Sequence, residues 1–338
     1  MKYCEHLNHT LCFNLNEIVP CCVVNSNGAP EYYNIYKNTE EYFNNIDIAK
    51  LQSEFIDLLN SEKLENYTCS KCIFLKDVEE KEAENRSINN IFLRFWTECN
   101  CDCVYCDNTR DKIFGSAAQY SPYKLIKKLY EENKIDAKNF VVRVQGGDLS
   151  VLPDFEDYMA LFNKFGFKEI HFSTNNVVYQ KSIEEVLRQG KGSLNVSLDC
   201  STRETYKKIK QVDYFDTVIK NLYKYISEVG HADHITIHYI VVKGYNDNKK
   251  EINGFLKLMQ KIGIKNIGIR IDHKDLDYYI RGQVPAENII HYQNLIKLFY
   301  EKANELGFRI DGDVCIEQNF VLKETAKKKN FFQKLFNL

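Results

Sequence analysis

Hydrophobic residues between positions 91 and 271 follow two spacings in turn, one typical of strands and one of helices. Short runs rich in β-branched and aromatic residues predict six strands, at Ile91–Trp96, Phe140–Val144, Glu169–Ser173, Leu194–Leu198, Ile235–Val242 and Asn266–Ile271. Between them, apolar residues recur every three or four positions, as they do from Phe215 to Val229. Repeated strand–helix units favour a parallel sheet. We therefore predict an α/β fold, a partial (β/α)6 TIM-like barrel, with a doubly wound open sheet as the alternative.

Several helix starts can be predicted from polar residues ahead of these apolar stripes. Ser121 followed by Pro122 is typical of a helix N-cap with proline in the first turn. Capping boxes are predicted at positions 182–185 and 201–204, each with Ser first and Glu fourth. One further helix, roughly Ile48 to Lys63, precedes the strands.

The hydrophobic pattern divides the chain into four segments. Residues 1–75 are rich in cysteine and poor in periodic signals, which predicts a small module held together by metal. Residues 76–90 are mostly charged or polar and predict a linker. The strand–helix region, residues 91–312, is predicted to form the barrel, and residues 313–338 form a basic C-terminal tail.

Composition then excludes some classes of protein. The chain of 338 residues has a formal net charge of −2, so it lacks the basic excess that nucleic-acid binding requires. No apolar run is long enough to cross a membrane, and the first residues lack the apolar stretch of a signal peptide. We expect a cytoplasmic protein with no nucleic-acid partner.

The twelve cysteines change the picture, because a reducing cytoplasm disfavours disulfides and favours metal-bound thiolates. Four of them, Cys99, Cys101, Cys103 and Cys106, lie just after the first predicted strand of the barrel. Loops in that position carry the active sites of parallel sheets. Cys99, Cys103 and Cys106 can ligate three irons of a four-iron cluster and leave the fourth open, as a catalytic metal site requires. A zinc site that also uses Cys101 is the alternative, although four thiolates within eight residues crowd one ion.

The motif Cys99-x3-Cys103-x2-Cys106, with Tyr105 before the last cysteine, resembles the signature of the radical S-adenosylmethionine (SAM) superfamily. Further motifs follow at the ends of later predicted strands. Positions 146–148 are Gly-Gly-Asp where the family has Gly-Gly-Glu, positions 173–176 resemble its Thr-Asn-Gly type, and positions 196–200 resemble its Ser-Leu-Asp-Gly segment. The last motif is similar to the branch with accessory SPASM or twitch iron–sulfur domains.

The resemblance implies a 4Fe–4S cluster, SAM as the second cofactor, and a flavodoxin- or ferredoxin-type protein as the one-electron reductant. The reduced cluster would cleave SAM to a 5′-deoxyadenosyl radical, which abstracts a substrate hydrogen. The residues implied in SAM binding are Tyr105, Gly146, Gly147, Asp148, Ser173, Asn175, Ser197, Asp199 and Lys210. Among these, Tyr105 is implied to face the adenine, Asp148 the amino group, and Lys210 the carboxylate. No residue can be assigned as the catalytic acid or base.

The N-terminal cysteines suggest a second metal centre. Cys69 and Cys72 form a Cys-x2-Cys pair, a strong metal-binding pattern that does not name the metal. Together with Cys4 and Cys21 they are predicted to hold an auxiliary 4Fe–4S cluster, with Cys12 or Cys22 as possible substitutes and a zinc ribbon as the alternative. In the SPASM branch the accessory domain usually follows the barrel, whereas here it would precede it.

The predicted activity is modification or oxidation of a peptide or protein residue by hydrogen abstraction. A sugar- or glycan-modifying oxidase or epimerase is the alternative among enzymes. A non-catalytic iron–sulfur or zinc scaffold or electron carrier is the alternative from another class. The tail carries five lysines followed by apolar residues, which favours a helix packed on the barrel over contact with a membrane surface.

Overall fold

A computed structural model describes residues 1–15, 17–19, 47–62, 75–79, 87–106, 115–152, 154–272 and 286–311. The chain forms two compact units. The first comprises Met1–Cys99 and Ile113–Phe172, and the second comprises Asn100–Lys112 and Ser173–Leu338. The boundary between them therefore falls inside the cysteine motif.

The first unit contains seven strands and four helices among its described residues. The strands are β1 (Lys2–Cys4), β2 (Thr10–Asn14), β3 (Ile18–Val19), β4 (Leu75–Asp77), β5 (Asn90–Arg94), β6 (Val141–Val144) and β7 (Glu169–Thr174, whose last two residues belong to the second unit). The helices are α1 (Glu5–His9), α2 (Ile48–Leu59), α3 (Pro122–Glu131) and α4 (Phe155–Phe165).

Strands of the first unit pair in the order β7-β6-β5-β2-β3. β2, β5, β6 and β7 run parallel to one another, and β3 is antiparallel to β2. One face of this sheet is apolar and inaccessible to solvent, since Leu11, Ile91, Val142 and Ile170 are fully buried. The opposite face carries polar side chains, because strand residues alternate between the two faces.

The N-terminal segment joins this sheet directly. Thr10 to Asn14 pair in register with Asn90 to Arg94, and Leu11 and Phe13 are fully buried. β1 pairs with β4 in antiparallel fashion, so the first residues of the segment predicted as a linker form a strand. The described part of this segment therefore buries its apolar residues within the first unit, and the four-segment division remains a prediction.

The second unit consists of helices and parallel strands. Its strands β8 (Gly192–Ser197), β9 (Ile235–Val241), β10 (Asn266–Ile271) and β11 (Arg309–Asp311) pair in that order. Its helices are α5 (Lys181–Arg188), α6 (Arg203–Lys210), α7 (Phe215–Val229), α8 (Lys249–Ile262) and α9 (Ala286–Glu305). Alternate residues of β9 are buried, and Tyr239 packs its ring on Phe255 and Phe299.

All six strands predicted from the hydrophobic pattern are present, which confirms the predicted α/β class with a parallel sheet. Ser121 caps α3 as predicted, accepting a hydrogen bond from the amide of Lys124. Both predicted capping boxes are wrong. Gln180 occupies the N-cap of α5, so Ser182 lies inside the helix, and Thr202 rather than Ser201 caps α6 by accepting from the amide of Thr205.

In the part of the chain that the structure describes, no helix has the length and apolar character needed to cross a membrane.

Candidate active site

The first five residues after β5, positions 95–99, are held by backbone hydrogen bonds within the first unit. The amide of Thr97 donates to the carbonyl of Ser116 over 2.8 Å. The indole of Trp96 is buried and donates to the backbone carbonyl of Asp148 over 3.0 Å. The segment that leads to Cys99 is therefore fixed from two directions.

The predicted glycine motif after β6 lies directly against this segment. The amide of Gly147 donates to the carbonyl of Trp96 over 2.9 Å, and the amide of Asp148 donates to the carbonyl of Glu98 over 2.8 Å. A Cβ atom at Gly147 would lie 1.8 Å from the Glu98 carbonyl oxygen, and one at Gly146 would lie 2.9 Å from the Trp96 ring. Both positions need glycine because there is no space for a side chain.

Asp148 is buried, and its carboxylate caps the short turn that follows it. Its carboxylate accepts a hydrogen bond from the amide of Ser150 over 3.0 Å and a very short one from the Ser150 hydroxyl. This arrangement begins the short 3-10 turn Leu149–Val151. The predicted contact of Asp148 with the amino group of SAM remains a prediction.

The second half of the cysteine motif, positions 100–106, is anchored on the C-terminal end of α6 within the second unit. The amide of Asp102 donates to the carbonyl of Lys210 and that of Val104 to the carbonyl of Ile209, both over 3.0 Å. A turn closed by the amide of Cys106 and the carbonyl of Cys103, also 3.0 Å apart, places two predicted ligands on one tight bend.

Lys210, Asp199 and Tyr105 form a buried polar cluster behind this bend, which we call the lysine cluster. The Lys210 ammonium lies 2.5 Å from Asp199 Oδ2 and 2.7 Å from the Tyr105 hydroxyl. Tyr105 also donates to Asp199 Oδ2 over 2.7 Å, and the amide of Ile240 donates to Asp199 Oδ1 over 2.8 Å. Lys210 and Asp199 are at most 1% exposed. The charge of Lys210 thus has a carboxylate partner inside the protein.

The charges in the lysine cluster follow from burial and from this pairing. Burial is the largest single effect and opposes the charge of Lys210, but the charges of Asp199 and Cys103 and the hydrogen bond to Asp199 together raise the pKa of Lys210. Burial and then the charge of Asp199 raise the pKa of Tyr105 well above its ordinary value, so its phenol stays protonated. Asp199 and Lys210 therefore serve the protein's own hydrogen bonding, and their predicted contacts with SAM remain predictions.

The described thiols of the motif are free of disulfides. A hydrogen bond from Cys101 lowers the pKa of Cys103 to about 7, burial opposes this, and the Lys210 charge acts in the same direction as the hydrogen bond. Cys101 is buried, with its sulfur 4.0 Å from the hydroxyl of Tyr206. Cys99 and Cys106 are both partly exposed.

The other predicted SAM-binding residues lie at strand ends of the second unit. Ser173 is the penultimate residue of β7 and Ser197 ends β8, each partly exposed. Asn175 is buried and donates a very short hydrogen bond to the Asn100 side chain, so it also holds the cysteine segment. Sequence reasoning missed this role of Asn100, and only its place between the cysteines could have suggested it.

The donor set fits the predicted cluster in chemical terms. Thiolates are the ligands of iron–sulfur clusters, and Cys103 is acidified while Cys106 shares its bend. Because Gly147 has no side chain, only its backbone lies beside the segment that leads to Cys99. Among the described residues, no three His, Cys, Asp or Glu side chains are already arranged around a metal position. The ligand set Cys99, Cys103 and Cys106 therefore remains a prediction from the motif.

The predicted second centre falls largely outside the described residues, as Cys21, Cys22, Cys69 and Cys72 do. Cys4 ends β1 and is buried, with its carbonyl accepting from the Asn8 side chain. Cys12 is buried in β2, opposite Phe92. The C-terminal tail also lies outside the described residues.

The α/β fold, the cysteine motif and the glycine turn beside the segment that leads to Cys99 define a class of enzyme. Residues 93–272 match the family described as the radical SAM superfamily, and the chain belongs to this superfamily. The predicted resemblance is confirmed, and so is the α/β partial-barrel fold class. Membership implies a 4Fe–4S cluster and SAM as cofactors.

The chain is similar to individual relatives at low sequence identity. The chain is 26% identical over 227 residues to a GTP 3′,8-cyclase of Clostridium botulinum (strain Hall), which covers 66% of this chain and 70% of the relative.

Solved structures share the fold at low sequence identity. Streptococcus suis SuiB bound to the precursor peptide SuiA has a TM-score of 0.52 and 15% identity, covering 86% of this chain and 68% of that one. SuiB bound to S-adenosylmethionine has a TM-score of 0.50 and 14% identity, covering 82% and 67% respectively.

Proposed function

We propose that this radical SAM enzyme modifies or oxidises a residue of a peptide or protein by hydrogen abstraction. The observation that carries the proposal is the cysteine motif, which lies inside the family match and whose Cys103–Cys106 bend is anchored on α6. Cys99, Cys103 and Cys106 would hold the cluster, and the partly exposed Ser173 and Ser197 would contact SAM. When bound, the two cofactors supply the electron and the 5′-deoxyadenosyl group that removes a substrate hydrogen.

The protein's own part is to hold this arrangement rigid. The lysine cluster keeps Tyr105 in one orientation through two short hydrogen bonds, one donated by Lys210 and one donated to Asp199. Asn175 holds the cysteine segment through Asn100. Gly147 fixes the approach to Cys99 through its hydrogen bond to Trp96. Residues fixed in this way cost no reorganisation when the reaction occurs.

A peptide substrate is supported by the SuiB fold, since that protein was solved with a precursor peptide. A nucleotide is a second candidate. It is supported by the GTP 3′,8-cyclase relative and by Arg94 and Arg143, which lie on the polar face of the sheet in the first unit. The predicted sugar or glycan substrate has no comparable support. The proposal also includes an auxiliary cluster, held by Cys4, Cys21, Cys69 and Cys72. It further includes a flavodoxin- or ferredoxin-type protein as the reductant.

The test compares two buried cysteines of the same segment. Anaerobically purified protein, reduced with dithionite, is expected to convert SAM to 5′-deoxyadenosine, measured by liquid chromatography. Cys103→Ala should abolish the product and lower the iron content, because a cluster ligand is lost. Cys101→Ala is the matched control and should retain both. Equal loss in the two variants would show that the ligand assignment is wrong.

The same assay distinguishes the alternatives. No 5′-deoxyadenosine from fully reconstituted protein would favour the non-catalytic scaffold. Product formation stimulated by GTP, with loss of GTP, would favour the nucleotide over the peptide. An auxiliary cluster predicts that the triple variant Cys99→Ala, Cys103→Ala, Cys106→Ala still binds about four irons, whereas zinc in that variant would support a ribbon.

A further inference from the structure

The polar face of the sheet in the first unit carries two arginines at the level of one phenylalanine. Phe92 of β5 pairs in register with Arg143 of β6, and Arg143 pairs with His171 of β7. Arg94 lies two residues beyond Phe92, so its side chain points to the same face. The opposite face is the buried apolar one, so Arg94 and Arg143 lie outside that apolar layer.

Both guanidinium groups stand over the Phe92 ring. The Cζ atom of Arg94 lies 5.1 Å from the ring centroid and that of Arg143 lies 5.5 Å from it. Phe92 is 7% exposed, whereas both arginines are partly exposed. Both guanidinium groups therefore lie within cation–π distance of one buried ring. We call Arg94 and Arg143 the arginine pair.

Arg94 has a neutral partner in place of a carboxylate. Its Nε and Nη2 atoms donate to the side-chain oxygen of Gln145, over 3.0 and 2.8 Å. Four other described arginines each lie within salt-bridge distance of a carboxylate, namely Arg188, Arg203, Arg270 and Arg309. Gln145 orients the guanidinium of Arg94 without cancelling its charge.

The charge of Arg143 also reaches its surroundings. Burial, and after it the charge of Arg143, lowers the pKa of His171. At His6, burial and the same guanidinium lower the pKa while Glu5 opposes them. The Glu169 carboxylate, 3.3 Å from the His171 ring, opposes burial and the Arg143 charge and acts to raise the pKa of His171.

We infer that Arg94 and Arg143, held over Phe92, form a subsite for a carboxylate or phosphate group of the substrate. Guanidinium groups bind these oxyanions through paired, charge-assisted hydrogen bonds. The subsite rests on the proposed function, because it assigns the polar sheet face to the substrate. It also deepens that function, because it requires the substrate to carry an anionic group.

The test measures anion binding to the full chain without SAM or reductant, so failure of the radical reaction does not affect it. Inorganic pyrophosphate and succinate are titrated while the melting temperature is followed, and the rise with concentration gives the affinity. Arg94→Gln and Arg143→Gln should each weaken binding at least about tenfold. Arg203→Gln, which removes an exposed arginine already paired with Asp213, is the matched control and should bind normally.

The outcomes are distinct. Tighter binding of pyrophosphate, lost in both variants, supports a phosphate-bearing substrate, and tighter binding of succinate, lost in both, supports a carboxylate-bearing one. Absence of binding to the unmodified protein overturns the inference. An equal loss in all three variants also overturns it, since net charge alone would then explain the binding.

Discussion

The lysine cluster and the arginine pair are two cationic centres that the protein treats in opposite ways. Lys210 is fully buried, and its charge meets Asp199 at 2.5 Å. Arg94 is partly exposed and bonded to the neutral Gln145. A buried cation paired with an internal counterion is needed by that counterion and is unavailable to a ligand, whereas a cation oriented by a neutral group keeps its charge for a ligand. The residue chosen by motif and the residues best placed for an anion are therefore different.

The largest expected effect comes from breaking the lysine cluster. Lys210→Met should lower the free energy of unfolding by about 3–5 kcal/mol, because Asp199 is left charged and buried without its partner. Urea denaturation measures the change. Lys208→Met, on the same helix but exposed and paired with Glu204, is the control and should leave the free energy of unfolding nearly unchanged.

The double variant Lys210→Met, Asp199→Asn adds a check on that interpretation. It should be more stable than the sum of the two single changes, because the two residues are coupled. Simple additivity would mean that the lysine cluster contributes through packing rather than through its charges.

A second change should give Arg94 a carboxylate partner, as Lys210 has in the lysine cluster. Gln145→Glu places a carboxylate where an amide oxygen now accepts from Arg94. Pyrophosphate binding, followed by melting temperature, should weaken about tenfold although no cation is removed. Gln189→Glu, at the exposed end of α5, adds the same charge elsewhere and should leave binding intact. Retained binding in Gln145→Glu would mean that Arg94 does not contact the anion.

The smallest expected effect is a change in the pKa of His171 when the charge of Arg143 is removed. The pKa of His171 is lowered in the folded state, so the unfolded chain binds more protons and stability falls as pH drops through the range below about 6.5. Arg143→Gln should raise the His171 pKa part of the way back, because burial still lowers it, and the fall in stability should become shallower.

Nuclear magnetic resonance titration of the histidine Cε1 protons measures this pKa, with His171→Gln to assign the signal. An unchanged His171 pKa would show that the Arg143 charge is already compensated and would weaken the contrast between the two centres.

The sequence predicted the strands well because their periodicity depends only on local residues. β2 was missed, although Leu11 and Phe13 alternate with polar neighbours, because Cys12 suggested a metal site. The partnership of Lys210 with Asp199 depends on how α6 returns beneath the cysteine segment, which no local pattern encodes. The arginine pair was missed for the same reason, since only the register of β5 and β6 places Arg143 opposite Phe92.

Trp96, the only tryptophan of the chain, gives the first unit a natural optical probe of its folding. Its indole is 2% exposed and bonded to the carbonyl of Asp148, which is 52 positions away along the chain. Contacts between such distant residues require loop closure and form more slowly than helical turns. The fluorescence of Trp96 therefore reports when β5 and β6 meet, separately from the circular dichroism of the helices.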